Sequence, residues 1–470
     1  MCLALIGMVV VAGVTGSGQA EARPSTQAPI VSWSEPHIVW ETSGTTSSPT
    51  LVTDAWGSVH LFFLSQQEGE DRRTLYHADA DNPDTVPVDI LIDVSEYRVA
   101  ADPYGRLHVL ALGAVNVMVY TSVEATDAGK AVSWSPATTL GTATLGVDIS
   151  ADSGGGLHLC YPLEHAVGYQ RSNDGGANWS DQLYVADTVD PSGVATYVRC
   201  VMDNTGTLHM AWAEARPPNY YPPDGVFYAR SADRGETWDT PEVVAGQHYT
   251  LPTLLADPSG LVHMFWQGDV AVGGRFYRQR AAGNEGSWGP TETVVPTGQG
   301  GMSGVSFMAL DSQRNLHVGI NIDGIYWSSR TSTWTAPLEL SGSVRDLPNA
   351  LNSIEQAALA IANGNEIYVA FEFDFKRIYL MTGQSDAPAA LATPMPAPIS
   401  SPKAVAHMVD RPPTQGSAAT PSSPPTDLAV EARAAGEAAD QDLMPVVLGT
   451  LLAMMIVGSG LWIRKRAPRS

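Results

Sequence analysis

One irregular segment, from Ala213 to Gly225, has the residue types best suited to binding a ligand. It combines two acids, a base and two tyrosines with four prolines. Tyrosine rings suit sugar faces or the side chains of a partner, and proline lowers the cost of ordering a loop on binding. The candidate ligand-binding residues in this segment are Glu214, Arg216, Tyr220, Tyr221 and Asp224. A solvated loop that binds nothing is the alternative interpretation.

Four further side chains extend this candidate site: Arg98, Arg199, Asp269 and Arg275. The repeat described below places them on innermost strands or in loops at the same end of the fold. Guanidinium groups that converge on one point recognise a carboxylate through paired hydrogen bonds. Whether several of these arginines converge is therefore the observation on which an enzymatic interpretation depends.

Six histidines recur at matching positions, and a ring of histidines could suggest metal binding. They are His60, His108, His158, His209, His263 and His317. A residue needed identically in every repeat serves the repeat itself, and each histidine follows an aspartate by six residues. We therefore predict that each histidine bonds the aspartate of its own turn. The acidic segment 79–84 lacks the Gly and Glu of a calcium loop, so we predict neither a metal nor a cofactor.

The elements that position these residues are set by an internal repeat. The repeated motif is Asp, any two residues, usually Gly, any one residue, Leu or Val, and His, followed by an apolar run. A degenerate copy covers residues 362–369. The complete copies begin at Asp54, Asp102, Asp152, Asp203, Asp257 and Asp311. Each motif predicts strand, tight turn, strand. A strand with Tyr, a turn, a Trp and a closing strand follow in most intervals.

Four strands in each interval of about 50 residues are typical of a β-propeller blade. The sequence thus predicts an all-β fold, a single propeller over residues 30–383, with seven blades and six as the alternative. The last copy supplies three strands, and residues 32–39 form an unpaired strand of the missing type. We expect this strand to pair with residues 377–380 and close the ring, which removes exposed strand edges.

Composition predicts what flanks the ring. Residues 1–22 are typical of a signal peptide, and residues 384–442 are rich in Pro, Ala, Ser and Thr, as in a disordered stalk. Residues 444–463 have the length and apolarity of a transmembrane helix, and the basic residues 464–470 predict a cytoplasmic tail. These features predict a single-pass cell-membrane protein with an extracellular propeller.

Charge and cysteine content narrow the partners and the compartment. A net charge of −23 excludes nucleic acid as a natural partner, because nucleic acid requires a positive surface. Cys160 and Cys200 would remain after signal cleavage. They allow either one disulfide or two separate buried thiols.

Two turns, at residues 172–179 and 231–238, fit the pattern Ser-x-Asp-x-Gly-x-x-Trp. They resemble the Asp-box, or BNR repeat, of the sialidase-like β-propellers. The residues that carry the pattern are Ser172, Asp174, Gly176, Trp179, Ser231, Asp233, Gly235 and Trp238. The Asp can bond the turn's backbone N–H groups, Gly allows a positive φ, and Trp packs on the hairpin. The resemblance implies that these residues are structural and lie on the face opposite a ligand site.

The resemblance leaves two functions open. Sialidases of that family use three arginines, a Tyr nucleophile paired with Glu, an Asp acid/base and an Arg-Ile-Pro signature. The sequence contains no Arg-Ile-Pro, and those enzymes have six blades. The sequence therefore favours a binding module for glycan or protein ligands over an enzyme. The alternative is an exo-acting glycoside hydrolase of sialidase type, with some of the arginines at 98, 199, 216 and 275 holding a carboxylate and Glu214 assisting a tyrosine.

Overall fold

Each repeated motif folds as two strands joined by a tight turn, because Asp and Gly bend the backbone between apolar, β-branched runs. The structure is a computed structural model and describes residues 31–144, 146–216, 222–281, 283, 286–299, 306–322, 324–345, 356–392 and 395. Within these ranges 29 strands form seven antiparallel sheets arranged in a ring. The prediction of a seven-bladed propeller is confirmed.

The first three blades are formed by consecutive strands. Blade 1 contains β3 (Thr45–Thr53), β4 (Val59–Gln66), β5 (Thr74–Asp79) and β6 (Val88–Ile92). Blade 2 contains β7 (Glu96–Ala101), β8 (Arg106–Leu112), β9 (Val117–Glu124) and β10 (Thr138–Thr142). Blade 3 contains β11 (Asp148–Ala151), β12 (Leu157–Pro162), β13 (Ala166–Ser172) and β14 (Leu183–Asp187).

The next three blades repeat this order. Blade 4 contains β15 (Val194–Met202), β16 (Leu208–Ala215), β17 (Gly225–Ser231) and β18 (Glu242–Ala245). Blade 5 contains β19 (Tyr249–Asp257), β20 (Leu261–Gly268), β21 (Arg275–Ala281) and β22 (Glu292–Val295). Blade 6 contains β23 (Phe307–Leu310), β24 (Leu316–Asn321), β25 (Ile325–Arg330) and β26 (Leu338–Glu339). One α-helical turn (Gly342–Arg345) and three 3-10 turns (Ala114–Asn116, Ala125–Asp127 and Ala131–Ser133) complete the described helices.

Blade 7 is completed by the first strands of the described chain. It contains β27 (Ala357–Ala362), β28 (Glu366–Phe373), β29 (Arg377–Ser385), β1 (Val31–Trp33) and β2 (His37–Glu41). β29 pairs with β28 on one side and with β1 and β2 on the other, with Ile38 opposite Tyr379. The predicted closure between residues 32–39 and 377–380 is confirmed.

The first strand of each blade lies next to the axis and beside the first strands of its neighbours. The turns that join first to second and third to fourth strands lie at one end of the ring, which we call the Asp-box face. The loops between second and third strands and the connections between blades lie at the other end, which we call the irregular face. This arrangement places the described ends of the candidate loop, at residues 213–216 and 222–225, on the irregular face.

The repeated histidines serve the blades. In blade 2, Asp102 accepts the backbone N–H groups of Tyr104 and Arg106 at 3.0 and 2.9 Å, and its Oδ2 lies 3.1 Å from His108 Nε2. The other ring nitrogen of His108 lies 2.7 Å from the Tyr120 hydroxyl. The Asp–His hydrogen bond recurs in four other blades, and in blade 5 the two atoms lie 3.8 Å apart. The predicted structural role is confirmed, and the described residues include no group of three or more His, Cys, Asp or Glu placed to hold a metal.

The tyrosine that bonds the repeat histidine also contacts the neighbouring blade. Tyr120 meets the ring of Trp179, from blade 3, edge to face at 5.2 Å. The same contact recurs between successive blades in the pairs Tyr169–Trp238, Tyr228–Trp288 and Tyr277–Trp334. Edge-to-face pairs of this kind add to the stability that burial alone provides. The repeat Tyr of one blade and the repeat Trp of the next blade therefore form a contact that recurs around the ring.

The two Asp-box turns have the predicted hydrogen bonds. Asp174 Oδ1 accepts the hydroxyl of Ser172 at 2.8 Å and the backbone N–H of Asn178 at 2.8 Å. Asp233 makes the equivalent bonds in blade 4. Gly176 and Gly235 have φ values of +87° and +91°, in the region that favours glycine. Both turns lie at the end of the ring opposite the irregular face.

We expect Asp174→Ala and Asp233→Ala each to lower the melting temperature without changing ligand binding at the irregular face. Each substitution removes turn hydrogen bonds worth about 1 kcal/mol apiece. Thermal unfolding and a binding titration on the same samples check this expectation. A loss of binding at unchanged melting temperature would show that the boxes take part in recognition.

Blade 1 has a histidine where blades 2 to 5 have the inter-blade tyrosine. His77 pairs across the strands with Phe62, and its Nε2 lies 2.9 Å from His60 Nδ1. Burial, and then His60, lower the pKa of His77 to about 3 from a usual value of 6.5. The folded protein therefore keeps His77 neutral at a pH where the unfolded chain protonates it. Its contribution to stability is complete above pH 6.5 and is lost as the pH falls towards 3.

A His77→Gln variant should lose less stability on acidification, because glutamine can bond His60 without titrating. Between pH 7 and pH 4 we expect the wild type to lose up to about 3 kcal/mol more than the variant. Urea unfolding across this range measures the difference. Parallel pH curves for the two proteins would contradict the assignment.

Two further features bear on the predicted ends and cysteines. Cys160 and Cys200 form a disulfide, with Cα atoms 6.3 Å apart, which settles the alternatives that the sequence left open. The chain beyond β29 continues in order along the Asp-box face, where Ala390 N–H donates to Asn363 O at 2.6 Å and Met395 N–H to Pro103 O at 3.0 Å. The last strand of the ring, β29, extends to Ser385.

The remaining predicted segments lie outside the described residues. These are the signal peptide at 1–22, nearly all of the stalk at 384–442, the transmembrane helix at 444–463 and the tail at 464–470. Among the helices of the described ranges, none has the length and apolar character needed to cross a membrane.

Candidate functional site

The sevenfold repeat is broken where the innermost strands line the channel. In each blade, one residue of the innermost strand pairs with the second-strand residue that comes two positions after the repeat histidine. In blade 7, Tyr368 takes the place of that histidine. The seven innermost-strand residues defined in this way lie at the same level along the channel. In blade order they are Thr50, Arg98, Asp148, Arg199, Thr253, Phe307 and Ala358. Three consecutive blades therefore present charged side chains at a level where the other four present none.

Arg199 is the most constrained of these charges. Its side chain is buried, and Nη1 donates to the carbonyl oxygens of Val198 at 2.7 Å and Val147 at 3.4 Å. Nη2 is buried without a hydrogen-bond partner among the described residues. Burial, and then Arg98, lower the pKa of Arg199 to about 10, so the guanidinium stays charged at neutral pH. A buried cationic donor without a partner is rare in folded proteins, and an acceptor from outside the chain would satisfy it.

The neighbouring charges surround Arg199. Arg98 donates through Nη1 to Tyr97 O at 2.8 Å, and its Nη2 lies 3.3 Å from Glu96 Oε1. Asp148 faces both arginines and has a raised pKa because of its burial, which the two guanidinium groups oppose. Glu96 also accepts the backbone N–H of Gly146 at 2.7 Å. We call Glu96, Arg98, Asp148, Tyr197 and Arg199 the channel cluster.

A β-bulge sets the direction of the last two members. The register of β15 against β16 shifts between Thr196 and Arg199, and Tyr197 has φ of +53°. Bulges re-aim side chains, which is why they occur near functional sites. Burial, and then Glu96, raise the pKa of Tyr197, so its phenol stays protonated. The bulge thus places a neutral hydroxyl group beside the charged members of the cluster.

The candidate loop of blade 4 contains a buried acid and an exposed ion pair. Glu214 accepts Trp212 Nε1–H at 2.9 Å and the Val189 backbone N–H at 3.0 Å, and burial raises its pKa. Arg216 is exposed; its Nε lies 3.0 Å from both carboxylate oxygens of Asp224, and its Nη1 lies 3.3 Å from Asp190. Glu214 therefore holds the connection between blades 3 and 4, whereas Arg216 and Asp224 lie on the rim. The predicted Tyr220 and Tyr221 lie outside the described residues.

The other two candidates are fully buried in or beside blade 5. Asp269 accepts the backbone N–H of Ala271 at 2.8 Å and lies 2.7 Å from His248 Nδ1. Arg275 donates to Gly274 O at 2.9 Å and to Asn321 O, in blade 6, at 2.6 Å. These contacts hold the second-to-third strand loop and join blades 5 and 6. Neither side chain presents a charged group to the irregular face.

The candidate arginines thus occupy three places. Arg98 and Arg199 interact with each other in the channel, Arg216 lies on the rim, and Arg275 lies between blades 5 and 6. Glu96, Asp148 and Tyr197 were not among the site residues predicted from the sequence. For Asp148 a signal was present, because counting back from the repeat histidine places it level with Arg98 and Arg199.

A separate shallow cavity of about 300 Å³ lies where β1 and β2 meet blade 1. Its polar lining includes Glu35, His37, Asp81 and Tyr368, and the hydroxyl of Tyr368 donates to Asp81 Oδ1 at 2.9 Å. The cavity lies beside the ring closure and does not include any member of the channel cluster.

The fold and the site define a seven-bladed β-propeller with Asp-box turns on one face and a charged cluster in the channel near the other. No family model and no curated protein matches the chain. Similar solved structures include a protein of unknown function from Dyadobacter fermentans, at 12% identity over 75% of this chain and 99% of that one, with a TM-score of 0.45. They also include an ulvan lyase at 12% identity, covering 73% of this chain and 94% of that one, with a TM-score of 0.49.

A Hadza microbial sialidase is also similar, at 16% identity over 75% of this chain and 68% of that one, with a TM-score of 0.40. All three are likenesses in fold.

Proposed function

We propose that the protein is a membrane-anchored extracellular binding module that takes an acidic glycan at the irregular face. The observation that carries the proposal is the unpaired Nη2 of Arg199, within a charged cluster that breaks the sevenfold repeat. A carboxylate or sulfate group would supply the missing acceptor. A charge-assisted bond of this kind is stronger than a neutral one.

The surrounding charge explains why the ligand would be selected by one acidic group rather than by overall charge. The chain carries a net charge of −23, so a polyanion is repelled by most of its surface. Glu96 and Asp148 partly offset the two channel arginines. A sugar that carries a single acidic group fits this balance, with Arg216 and Asp224 available at the rim for its hydroxyl groups.

Matched pairs of acidic and neutral sugars test the proposal. Sialyllactose against lactose, and glucuronate against glucose, would be titrated calorimetrically into the purified protein. We expect heat only from the acidic member of at least one pair. Arg199→Gln should weaken that binding by about ten- to a hundredfold, the equivalent of one lost charge-assisted bond. Arg171→Gln, on the Asp-box face, is the matched control and should bind as the wild type does.

Two results would oppose the proposal. Equal affinity of the neutral and acidic sugars would remove the role of the acidic group. Binding of a protein partner that is unaffected by Arg199→Gln would move the interface away from the channel.

A second candidate function, sialidase-type hydrolysis, has one observation in its favour. Tyr197 and Glu96 are electrostatic neighbours in the channel cluster, and a tyrosine beside an acid could act as a nucleophile. The raised pKa of Tyr197 opposes this, because burial keeps the phenol protonated. Arg216 and Arg275 are also held by other partners, so only two of the four candidate arginines share the channel.

We therefore expect the purified protein not to release sialic acid from a fluorogenic sialoside. A known sialidase, assayed in parallel, would confirm that the substrate and conditions are sound. If the protein turns the substrate over, and Tyr197→Phe or Glu96→Gln abolishes the turnover, the hydrolase function replaces the binding module.

A further inference from the structure

The disulfide lies directly behind the channel cluster. Cys160, in β12, pairs across the strands with Asp148, in β11. Cys200 follows Arg199 in β15. The bond between Cys160 and Cys200 therefore joins blade 3 to blade 4 at the level where the sevenfold repeat is broken. The chain has one other cysteine, Cys2, so no second boundary between blades has a crosslink of this kind.

Two hydrogen bonds cross the same blade boundary beside the disulfide. The backbone N–H of Cys200 donates to Asp148 Oδ2 at 3.1 Å. Arg199 Nη1 donates to the carbonyl of Val147 at 3.4 Å. The short segment Arg199–Cys200 is thus tied to blade 3 by one covalent bond and two hydrogen bonds, and these bonds fix both its backbone and its guanidinium.

Arg199 needs this support because its position is unfavourable for a free side chain. The guanidinium is buried, lies near the like charge of Arg98 and leaves Nη2 without a partner. Turning towards water would lower the free energy of a buried, charged side chain of this length. A mobile backbone would allow the side chain to turn. Holding it in place before the ligand arrives lowers the ordering cost of binding.

We infer that the Cys160–Cys200 disulfide is a positioning element: it fixes blade 4 against blade 3 so that Arg199 keeps its unpaired N–H group in the channel. The nature of the ligand rests on the proposed function, whereas the restraint on Arg199 rests on the contacts above. The two claims can therefore fail separately.

The restraint is measured without any ligand. Phenylglyoxal modifies accessible guanidinium groups, and peptide mass spectrometry gives the rate at each arginine. Arg275 is an internal reference, since it is also fully buried between two blades and held by two carbonyl oxygens, but no disulfide joins those blades. In the Cys160→Ala/Cys200→Ala variant we expect Arg199 to react about tenfold faster than in the wild type, with Arg275 unchanged. Equal acceleration at both residues would indicate general loosening and overturn the inference, as would no acceleration at either.

A second variant keeps the test decisive if the double alanine variant does not fold. Cys160→Ser breaks the disulfide, changes a single side-chain atom and leaves Cys200 in place. We expect it to expose Arg199 to the reagent and leave Arg275 protected. An Arg199 rate equal to that of the wild type would overturn the inference.

Binding of the acidic sugars is measured on the same samples. If the wild type binds sialyllactose or glucuronate, the double alanine variant should bind about tenfold more weakly. If the wild type binds neither sugar, the proposed function fails, and the labelling rates still decide whether the disulfide restrains Arg199. Full affinity in a variant whose Arg199 has become reactive would show that the restraint does not serve binding.

Discussion

Deleting residues 31–41 is expected to prevent the ring from closing and to leave an aggregating, partly folded chain. The deletion removes β1 and β2, which together pair along β29. It also removes Trp33, whose ring lies 5.8 Å from Trp327 in blade 6, and Trp40, whose ring lies 4.9 Å from Tyr76 in blade 1. These two tryptophans join blade 7 to both of its neighbours.

The expected cost exceeds what a domain of this kind can lose. Truncating one buried tryptophan typically costs about 3–5 kcal/mol, and total stabilities are about 5–15 kcal/mol. The exposed edge of β29 would in addition offer a template for pairing between chains. Size-exclusion chromatography with light scattering, followed by thermal unfolding, measures both effects.

A truncation at the other end is the control. Removing residues 386–395 deletes a few hydrogen bonds on the Asp-box face and leaves all seven sheets intact. This protein should remain monomeric and melt within a few degrees of the full chain. A monomeric, cooperatively melting protein without residues 31–41 would contradict the assigned closure.

The second large effect concerns two adjacent glycines in one Asp-box turn. Gly175 and Gly176 have φ values of +68° and +87°, so alanine is strained at either position. A Cβ on Gly175 would meet nothing within 4 Å, whereas a Cβ on Gly176 would overlap the hydroxyl of Tyr120. That hydroxyl is fixed by His108 and by the carbonyl of Gly175.

The pair therefore separates backbone strain from steric overlap. Gly175→Ala should cost about 1–2 kcal/mol, the usual price of a left-handed L-residue. Gly176→Ala should cost at least about 3 kcal/mol, because it adds overpacking against a ring that cannot move. Denaturant unfolding of both variants beside Gly129→Ala, an exposed site with open space and an ordinary φ, measures the difference. Equal losses for the two turn variants would show that Tyr120 yields.

Most of the fold could be predicted because the same motif recurs along the chain and predicts two strands joined by a tight turn each time. Asp54 and its five equivalents mark the turns, and the closing strand is recognisable because residues 32–39 lack a partner in sequence. The inter-blade contact could not be predicted, since Tyr120 and Trp179 are far apart in the chain and only the ring brings them together. The contacts of residues 386–392 with the turns of the blades could not be predicted either, because Pro- and Ala-rich composition does not reveal a path along a protein surface.

The site was less accessible to sequence reasoning. Arg98 and Arg199 were selected as rare charges on innermost strands, and the structure places them together. Asp269 and Arg275 have the same residue types but are buried among backbone partners, and composition alone does not distinguish burial from exposure. Glu96 was missed because its relation to Arg98 and Gly146 depends on the connection between two blades.

The segment after β29 determines how the ring responds to a pull on its C-terminal side. The described residues after β29 form hydrogen bonds with turns of three blades, through Asn365, Ser312 and Pro103. Tension from beyond Met395 first breaks these weak contacts one after another, as a strip is peeled from a surface. It then reaches β29, which is hydrogen-bonded along both edges and must be sheared from all its partners at once. The segment after β29 thus extends at low force, whereas β29 resists until a much higher force is reached. Modest forces therefore lengthen the chain by a few residues while the blades and the channel cluster keep their arrangement.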